Sequence, residues 1–184
     1  LWQKLWTVEK RIGSAERIWL GLDFDGTLAQ IVNDHDGAIL DDAVRDTLVT
    51  LTTHERVSVA IVSGRSVRDI KARVDLQNLT VVGNHGIEID GPEFTFCDEI
   101  AQSLRPLMTQ VESRLRQGLA TIPKAVVESK ALSLSVHFRC VDRALWSSTE
   151  RVVRDVVASE SALWIRKGAM VWEILPAVAA NKGT

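Results

Sequence analysis

LGLDFDGTL, residues 20–28, is the stretch of this sequence that says most about the fold. It ends an apolar run from Ile18 that predicts a buried strand over 18–24, and Asp23 and Asp25 stand at the end of that strand. Ligands of open α/β sheets bind beyond the carboxyl ends of the strands. Two carboxylates there are costly unless a metal, hydrogen bonds or a substrate satisfies them. A simple turn is the alternative, because Asp, Gly and Thr favour turns, but the whole pattern favours a catalytic site.

Strands and helices alternate around this stretch. A near-continuous apolar run at 57–62 is typical of a parallel strand that is buried on both faces. It ends in a polar turn that contains glycine, as do the strands predicted at 18–24 and 79–82. This repeated pattern of strand, turn and helix is typical of a doubly wound α/β sheet. The predicted helices lie at 2–16, at 41–53 with Asp41 or Asp42 as N-cap, and at 66–74.

The pattern changes after Ile87, where a hairpin is predicted at 88–96. In the strand predicted at 132–138, apolar residues alternate with Ser133, Ser135 and His137, which indicates an antiparallel sheet with one polar face. Further helices are predicted at 98–118 and 143–158, and further strands at 126–129, 162–166 and 170–175. We therefore expect an α/β core, residues 1–88 plus 176–184, with an inserted α/β cap domain, residues 89–175, whose open face turns toward the aspartates.

The composition is that of an ordinary globular protein. With 184 residues, 46% of them hydrophobic and 25% charged, the chain can bury a substantial core. A formal net charge of −2 gives no general electrostatic case for a nucleic acid partner, and no apolar stretch is long enough to span a membrane. Cys97 and Cys140 form no Cys-x-x-Cys pair, which favours buried thiols in a reducing cytosol. We expect a cytoplasmic protein without membrane or nucleic acid partners.

Two further motifs are candidates for phosphate binding. In Ser63-Gly64-Arg65, a hydroxyl at a strand end can bind a phosphoryl oxygen, and glycine allows close backbone approach. The alternative is that Ser63 caps the next helix. The other motif is Asn181-Lys182-Gly183, in which a lone lysine is ordinarily only a solvated charge.

Together these motifs resemble the haloacid dehalogenase (HAD) phosphatases, whose core is a Rossmann-like parallel sheet. The resemblance implies that Asp23 is the nucleophile, forming an aspartyl-phosphate, and that Asp25 is the general acid and base. It also implies a Mg²⁺ cofactor held by Asp23 and by Asp25 through its main-chain carbonyl. The implied phosphate-binding residues are Gly26, Thr27, Ser63, Gly64 and Lys182.

A narrower resemblance, over nearly the whole chain from Ile18, is to the trehalose-6-phosphate phosphatases. It is carried by GNHGIE at 83–88, by ESK at 128–130 with the serines, His137 and Arg139 behind it, and by KG at 167–168 leading to ExxP at 173–176. The implied substrate-binding residues are Arg65, which could instead brace its loop, and Asn84, His85, Glu128, Lys130 and Glu173. A turn ion pair of little energetic value is the alternative for Glu128 and Lys130. His137 is expected to be structural.

Two departures from the family pattern qualify this expectation. Leu175 stands where the family often has a basic residue, and no acidic residue follows Glu173, although HAD phosphatases need a fourth, acidic motif after the lysine. We expect a C-terminally truncated fragment, which could be inactive alone. The alternatives are a phosphatase for another sugar phosphate, such as sucrose phosphate or mannosyl phosphoglycerate, a phosphosugar mutase, and a non-catalytic domain. The resemblance also raises fusion to, or association with, a trehalose-6-phosphate synthase.

Overall fold

The computed structural model describes residues 5–32 and 37–178, which form two sheets with helices packed on them. The sequence predictions for 1–4, 33–36 and 179–184, including that for Lys182, lie outside these described residues. No helix within the described ranges is both long enough and apolar enough to cross a membrane.

The first sheet has five strands in the order β1-β2-β3-β4-β5. The first three are parallel and the last two pair antiparallel, which confirms the α/β class with a parallel core. The strands are β1 (Ile18–Leu22), β2 (Val57–Val62), β3 (Thr80–Gly83), β4 (Glu88–Asp90) and β5 (Thr95–Cys97). The accompanying helices are α1 (Leu5–Ser14), α2 (Asp42–Thr52) and α3 (Val67–Val74).

Local sequence explains where these helices begin. The side chain of Asp41 accepts a hydrogen bond from the Ala43 amide at 2.9 Å, which makes it the N-cap of α2, as predicted. The hydroxyl of Ser66 accepts from the Asp69 amide at 3.1 Å and caps α3. Helix α3 therefore starts just after β2 has ended, whereas a long loop that carries the two aspartates separates β1 from α2.

The second sheet has four antiparallel strands in the order β6-β7-β9-β8. They are β6 (Val126–Ser129), β7 (Leu134–His137), β8 (Leu163–Lys167) and β9 (Val171–Pro176). Helices α5 (Arg105–Leu119) and α6 (Trp146–Val157) cover its apolar face, where a core forms around Leu115, Val136, Val153 and Ile174. The side chains that alternate with this core, Ser135 among them, turn toward the first sheet.

Three details differ from the sequence predictions. The hairpin β4–β5, assigned to the cap by a boundary at residue 89, pairs with β3 and belongs to the first sheet. The helix predicted at 98–118 is split into α4 (Glu99–Ser103) and α5, because Pro106 near the start of α5 cannot donate a backbone hydrogen bond. Cys140 is exposed rather than buried, and Cys97 is half-buried. The division into two domains stays a prediction.

Candidate active site

A cavity of about 400 Å³ lies between the two sheets. That volume is within the usual range for small-molecule sites. The wall from the first sheet contains Asp23, Asp25, Gly64, Arg65 and His85, and the wall from the second contains Lys130, Ser135, His137, Arg139 and Glu173. The polar face of the second sheet is therefore turned toward the two aspartates, as the alternation in β7 predicted.

The two aspartates have different partners. One oxygen of Asp23 accepts a hydrogen bond from the amide of Phe24 at 3.1 Å. The carboxylate of Asp25 accepts from Nε of Arg65 at 2.9 Å and from Nη2 at 2.8 Å, an arrangement in which two donors hold both oxygens. Asp25 is thus held in one orientation by a side chain that comes from the next strand, whereas the hydrogen bond to Asp23 is local.

Arg65 is buried, with 3% of its surface exposed, and its guanidinium lies 5.6 Å from the centre of the Phe24 ring. Burial opposes its charge, but hydrogen bonds and charge attraction to Asp25 and Asp69 raise the pKa of Arg65. Burial would likewise raise the pKa of Asp69, but hydrogen bonds from Arg73 and Arg65 lower it. Arg65 therefore braces the turn beside Asp25, while its role in binding a substrate stays a prediction.

The turn that carries Arg65 is held by Ser63, whose hydroxyl accepts from the Arg65 amide at 3.1 Å. Because Ser66 is the cap of α3, the interpretation of Ser63 as an N-cap is wrong. Ser63 is 1% exposed, and its carbonyl accepts from the His85 amide at 3.1 Å. Gly64 packs so closely on His85 that an added Cβ would lie 2.3 Å from its ring. Gly64, Arg65 and His85 line the cavity, whereas Ser63 and Ser66 do not.

Asn84 and His85 form a strained corner after β3, with φ of 47° and 61°. The Asn84 amide is fully buried and donates to Oε1 of Glu88 at 2.6 Å and to the Lys130 carbonyl at 3.3 Å. It also accepts from the Ser133 hydroxyl at 2.5 Å. Asn84, predicted as a pocket residue, therefore braces the wall from behind, while His85 presents its ring to the cavity.

His85 joins the two sheets through Glu173. Its Nε2 lies 2.7 Å from Oε1 of Glu173, while Arg166 donates to Oε2 of Glu173 at 2.8 Å and also approaches the imidazole at 2.7 Å. Burial lowers the pKa of His85, and the nearby positive charges of Arg166 and Lys130 add to that effect against the attraction of Glu173. Burial would raise the pKa of Glu173, but the hydrogen bonds from His85 and Arg166 and the nearby charge of Lys130 lower it to about 2. Glu173 is accordingly ionised at neutral pH.

Of the predicted sugar-binding residues Glu128 and Lys130, Lys130 lines the cavity, whereas Glu128 does not and stands opposite Ser135 in the sheet. Nζ of Lys130 donates to the Gly64 carbonyl at 3.0 Å and lies 4.0 Å from Oε2 of Glu128. That Glu128 oxygen is 2.7 Å from Nε2 of His137. His137, which was expected to be structural, thus contacts Glu128, a predicted substrate-binding residue, and also lines the cavity.

The turn after the aspartates forms a second depression beside the first. Gly26, with a φ of 83°, donates its amide to the Ala29 carbonyl at 2.8 Å. Gly26 and Thr27 line this depression, and Ile31 and Val32 line both it and the main cavity. The two predicted phosphate-binding residues of this turn therefore lie next to the cavity that Asp23 and Asp25 face.

The described residues fit a magnesium ion only in part. No cluster of three or more His, Cys, Asp or Glu side chains suited to a metal occurs within residues 5–32 and 37–178. Mg²⁺, however, usually takes one or two carboxylates and completes its shell with water and substrate phosphate. Asp23 at the cavity wall, with the main chain of Asp25, supplies oxygen donors of that kind.

Sequence reasoning missed Arg166, which is a partner of Glu173 and His85. It stands opposite Glu173 in the register of β8 and β9, so a correct pairing of the two predicted strands would have indicated it. It also gave no role to Arg139 or to the loop at 168–171, both of which line the cavity. That loop includes Met170 with a φ of 64°, which the sequence does not signal.

The chain has an HAD-like fold, with two aspartates after its first parallel strand. The C-terminal domain of a trehalose-6-phosphate phosphatase from C. albicans superposes with a TM-score of 0.79 at 22% identity, over 96% of this chain and 62% of that one. A trehalose-6-phosphate phosphatase related protein gives a TM-score of 0.81 at 19% identity, over 90% and 70%. At these identities the likeness shows the fold.

The family follows from sequence. The trehalose-phosphatase family model matches residues 21–184, so the chain belongs to the trehalose-phosphatase family. It is 34% identical over 178 residues to probable trehalose-phosphate phosphatase E of Arabidopsis thaliana, covering 91% of this chain and 49% of that protein. It is 31% identical over 177 residues to trehalose-phosphate phosphatase B of the same plant, covering 91% and 47%. The chain spans about half the length of these curated relatives.

Proposed function

We propose that this chain is the substrate-recognising and nucleophile-bearing part of a phosphatase that hydrolyses trehalose 6-phosphate to trehalose and phosphate. The observation that carries the proposal is a cavity with two aspartates on one wall and charged, polyol-compatible side chains on the other. Membership of the trehalose-phosphatase family supports the choice of substrate. Carboxylates and ammonium groups at set positions suit vicinal hydroxyls, because each sugar hydroxyl both donates and accepts.

In this proposal the carboxylate of Asp23 attacks phosphorus in line with the sugar oxygen. The bond between phosphorus and that oxygen breaks as the aspartyl-phosphate forms, and Asp25 gives the departing oxygen a proton. Asp25 then takes a proton from the water that hydrolyses the intermediate. Arg65 orients the Asp25 carboxylate with two donors. Because both donors favour the ionised carboxylate, an Asp25 oxygen must be released from Arg65 before it carries the proton. Most of the rate acceleration then comes from positioning and electrostatics.

Charge on the phosphoryl group is balanced by backbone and side-chain donors. The turns at 26–27 and at Gly64 lie beside the aspartates, and Ser63 and Lys182 complete the predicted set. The Gly26 amide donates to the Ala29 carbonyl, so it must leave that partner to donate to a phosphoryl oxygen. A bound Mg²⁺ would supply further neutralisation of the phosphoryl oxygens. The sugar is held by Lys130 and Glu173, which line the cavity, with His85 at the edge of the site. Glu128, which stands opposite Ser135 in the second sheet, is the third predicted sugar ligand.

The test is phosphate release in the presence of Mg²⁺ from trehalose 6-phosphate, glucose 6-phosphate and sucrose 6-phosphate. It uses the 184-residue chain and any longer natural product that contains it. We expect a strong preference for the trehalose ester. Equal release of phosphate from all three esters would support a phosphatase but contradict trehalose 6-phosphate as its specific substrate. A folded protein that releases phosphate from none of them would overturn the proposal. Chelation by EDTA should abolish the activity and excess Mg²⁺ should restore it.

Association with a trehalose-6-phosphate synthase is the second element of the proposal, and it rests on family membership alone. Co-purification of a tagged chain with the synthase from the same organism checks it. Retention of the synthase on the tagged protein, but not on a tag alone, is the expected result.

A further inference from the structure

The hydroxyl of Ser135 is a buried polar group that makes no hydrogen bond within the described part of the chain. Ser135 lies in β7 and is 1% exposed. A buried hydroxyl without a partner costs free energy that a folded protein ordinarily avoids. Its presence in a well-packed sheet therefore calls for a ligand or another explanation.

The position of Ser135 in the sheet points to a ligand. In the register of the strands it stands opposite Glu128 of β6 and opposite Glu173 of β9, so the three side chains form one row across the sheet. Ser135 is one of the residues that line the cavity, which Asp23 and Asp25 line from the other side.

The neighbouring carboxylates make their contacts with other residues, and within the described part of the chain neither hydrogen-bonds this hydroxyl. Glu128 contacts His137 at 2.7 Å, and Glu173 contacts His85 and Arg166. Ser133, two residues earlier on the same face, shows the contrasting case, since its hydroxyl donates to Asn84 and is structural. Ser135 thus differs from Ser133 in having no hydrogen-bond partner among residues 5–32 and 37–178.

We propose that the Ser135 hydroxyl binds a ring hydroxyl of the sugar in the substrate, between the two carboxylates that flank it. The inference rests on the proposed function, because it assigns a recognition group to the same site. A serine hydroxyl both donates and accepts, so it complements a sugar hydroxyl whichever way that hydroxyl is turned. Ser135 recognises the polyol and takes no part in the transfer of the phosphoryl group.

The test compares ligand affinities for the wild type and Ser135→Ala by calorimetry, with no turnover required if the Asp23→Asn background is used. The loss of one neutral hydrogen bond should raise the Kd for trehalose 6-phosphate by about 3- to 10-fold. The Kd for inorganic phosphate should stay the same, since phosphate lacks the polyol. The melting temperature should be unchanged or higher, because the variant removes an unsatisfied buried group.

Two controls separate recognition from structure. Ser133→Ala should lower the melting temperature, because it removes a partner of the buried Asn84. In a series of monodeoxy analogues of trehalose 6-phosphate, one analogue should bind the wild type and Ser135→Ala equally well, because its missing hydroxyl is the one that Ser135 contacts. An equal Kd for the intact ester in both proteins would overturn the inference, as would parallel weakening of phosphate and ester.

These outcomes are distinguishable from failure of the proposed function. If the wild type binds another sugar phosphate instead of the trehalose ester, the substrate assignment is wrong. The role of Ser135 is then tested by comparing the Kd of that other ester for the wild type and for Ser135→Ala. If no sugar phosphate binds a folded wild type, both the function and the role of Ser135 are overturned.

Discussion

Phe24 is fully buried, whereas Asp23 and Asp25 on either side of it are exposed to the cavity. Its carbonyl also accepts hydrogen bonds from the amides of Leu28 and Ala29 at 3.0 and 2.9 Å, which tie the following turn to the strand end. The aromatic ring is therefore the anchor that directs both neighbouring carboxylates outward. The motif works as a unit in which an apolar residue positions two acids.

Replacement of the proposed nucleophile tests this arrangement most directly. Asp23→Asn should reduce phosphate release from trehalose 6-phosphate at least about 10³-fold, because an amide cannot form the aspartyl-phosphate. The melting temperature should change little, since Asp23 is exposed. Asp155→Asn, an exposed position in α6, is the matched control and should keep full activity. Activity of Asp23→Asn near that of the wild type would contradict the nucleophile assignment.

A glycine substitution tests the close packing below the cavity. In Gly64→Ala the new Cβ would lie 2.3 Å from the His85 ring, so the ring must move and its contact with Glu173 is lost. Overpacking of this kind costs about 1–3 kcal/mol, which chemical denaturation can measure. Gly21→Ala is the control, because nothing lies within 4 Å of the added atom there. Equal stability of the two variants would show that the ring adjusts without cost.

Among the elements, β7 connects the core of the second sheet to the cavity. Leu134 and Val136 are fully buried under α5 and α6, and Ser135 faces the opposite way. The packing of α5 and α6 on β7 therefore fixes where Ser135, on the opposite face of the strand, stands in the cavity wall. This core is separate from the one under the first sheet, which contains Phe24 and Ile61.

Truncation of a helix residue tests how far the second sheet depends on this packing. Leu115 of α5 has no exposed surface, and Leu115→Ala should lower the free energy of unfolding by about 2–5 kcal/mol. Ile100→Ala in α4 is the control, since Ile100 is 61% exposed and its truncation should change stability by less than about 0.5 kcal/mol. Urea denaturation measures both, and similar losses would contradict the assigned core.

Local signals were enough for most elements of the fold. Alternation predicted β7 and its two faces, and apolar runs predicted β2 and the strand before the aspartates. The hairpin after Ile87 was placed in the wrong sheet, because its own sequence shows that it is a hairpin but does not indicate which strand it pairs with. The hydrogen bonds of Arg65 to Asp25 and of Arg166 to Glu173 were missed for the same reason, since they depend on tertiary pairing.

In the whole molecule, the two sheets are joined by polar contacts around the cavity. Lys130 donates to the Gly64 carbonyl, Asn84 bonds to Lys130 and Ser133, and His85 meets Glu173. Each of these pairs has one member from each sheet. The same groups that are predicted to hold the sugar thus also hold the two halves of the site together, which couples recognition to the closed arrangement.

The charges at this junction predict a dependence of stability on pH. Because folding lowers the pKa of His85, the unfolded chain takes up a proton below about pH 6.5 that the folded chain does not. The free energy of unfolding should therefore fall as the pH is lowered through that value. The pKa of Glu173, lowered from 4.5 to about 2, should cause a second loss as the pH falls between those values.

Denaturation curves at pH 7.5, 6 and 5 check the first of these effects. His85→Gln should remove most of the fall between pH 7 and about 5.5, because glutamine has no proton to gain. His54→Gln, at an exposed position, is the matched control and should keep the pH dependence of the wild type. A profile for His85→Gln that follows the wild type would assign the effect to other groups.

The register of β7 between β6 and β9 has a consequence for how such a sequence can change over time. Deleting one residue from the tight turn at 130–133 would shift the register of β7 by one residue, so that each of its side chains would point to the opposite face of the sheet. Ser135 and His137 would then enter the apolar layer, and Leu134 and Val136 would face the cavity. In proteins that evolve from this chain, we therefore expect β7 to tolerate single substitutions but not insertions or deletions. Insertions and deletions should accumulate instead in exposed connections, such as the one between α5 and β6.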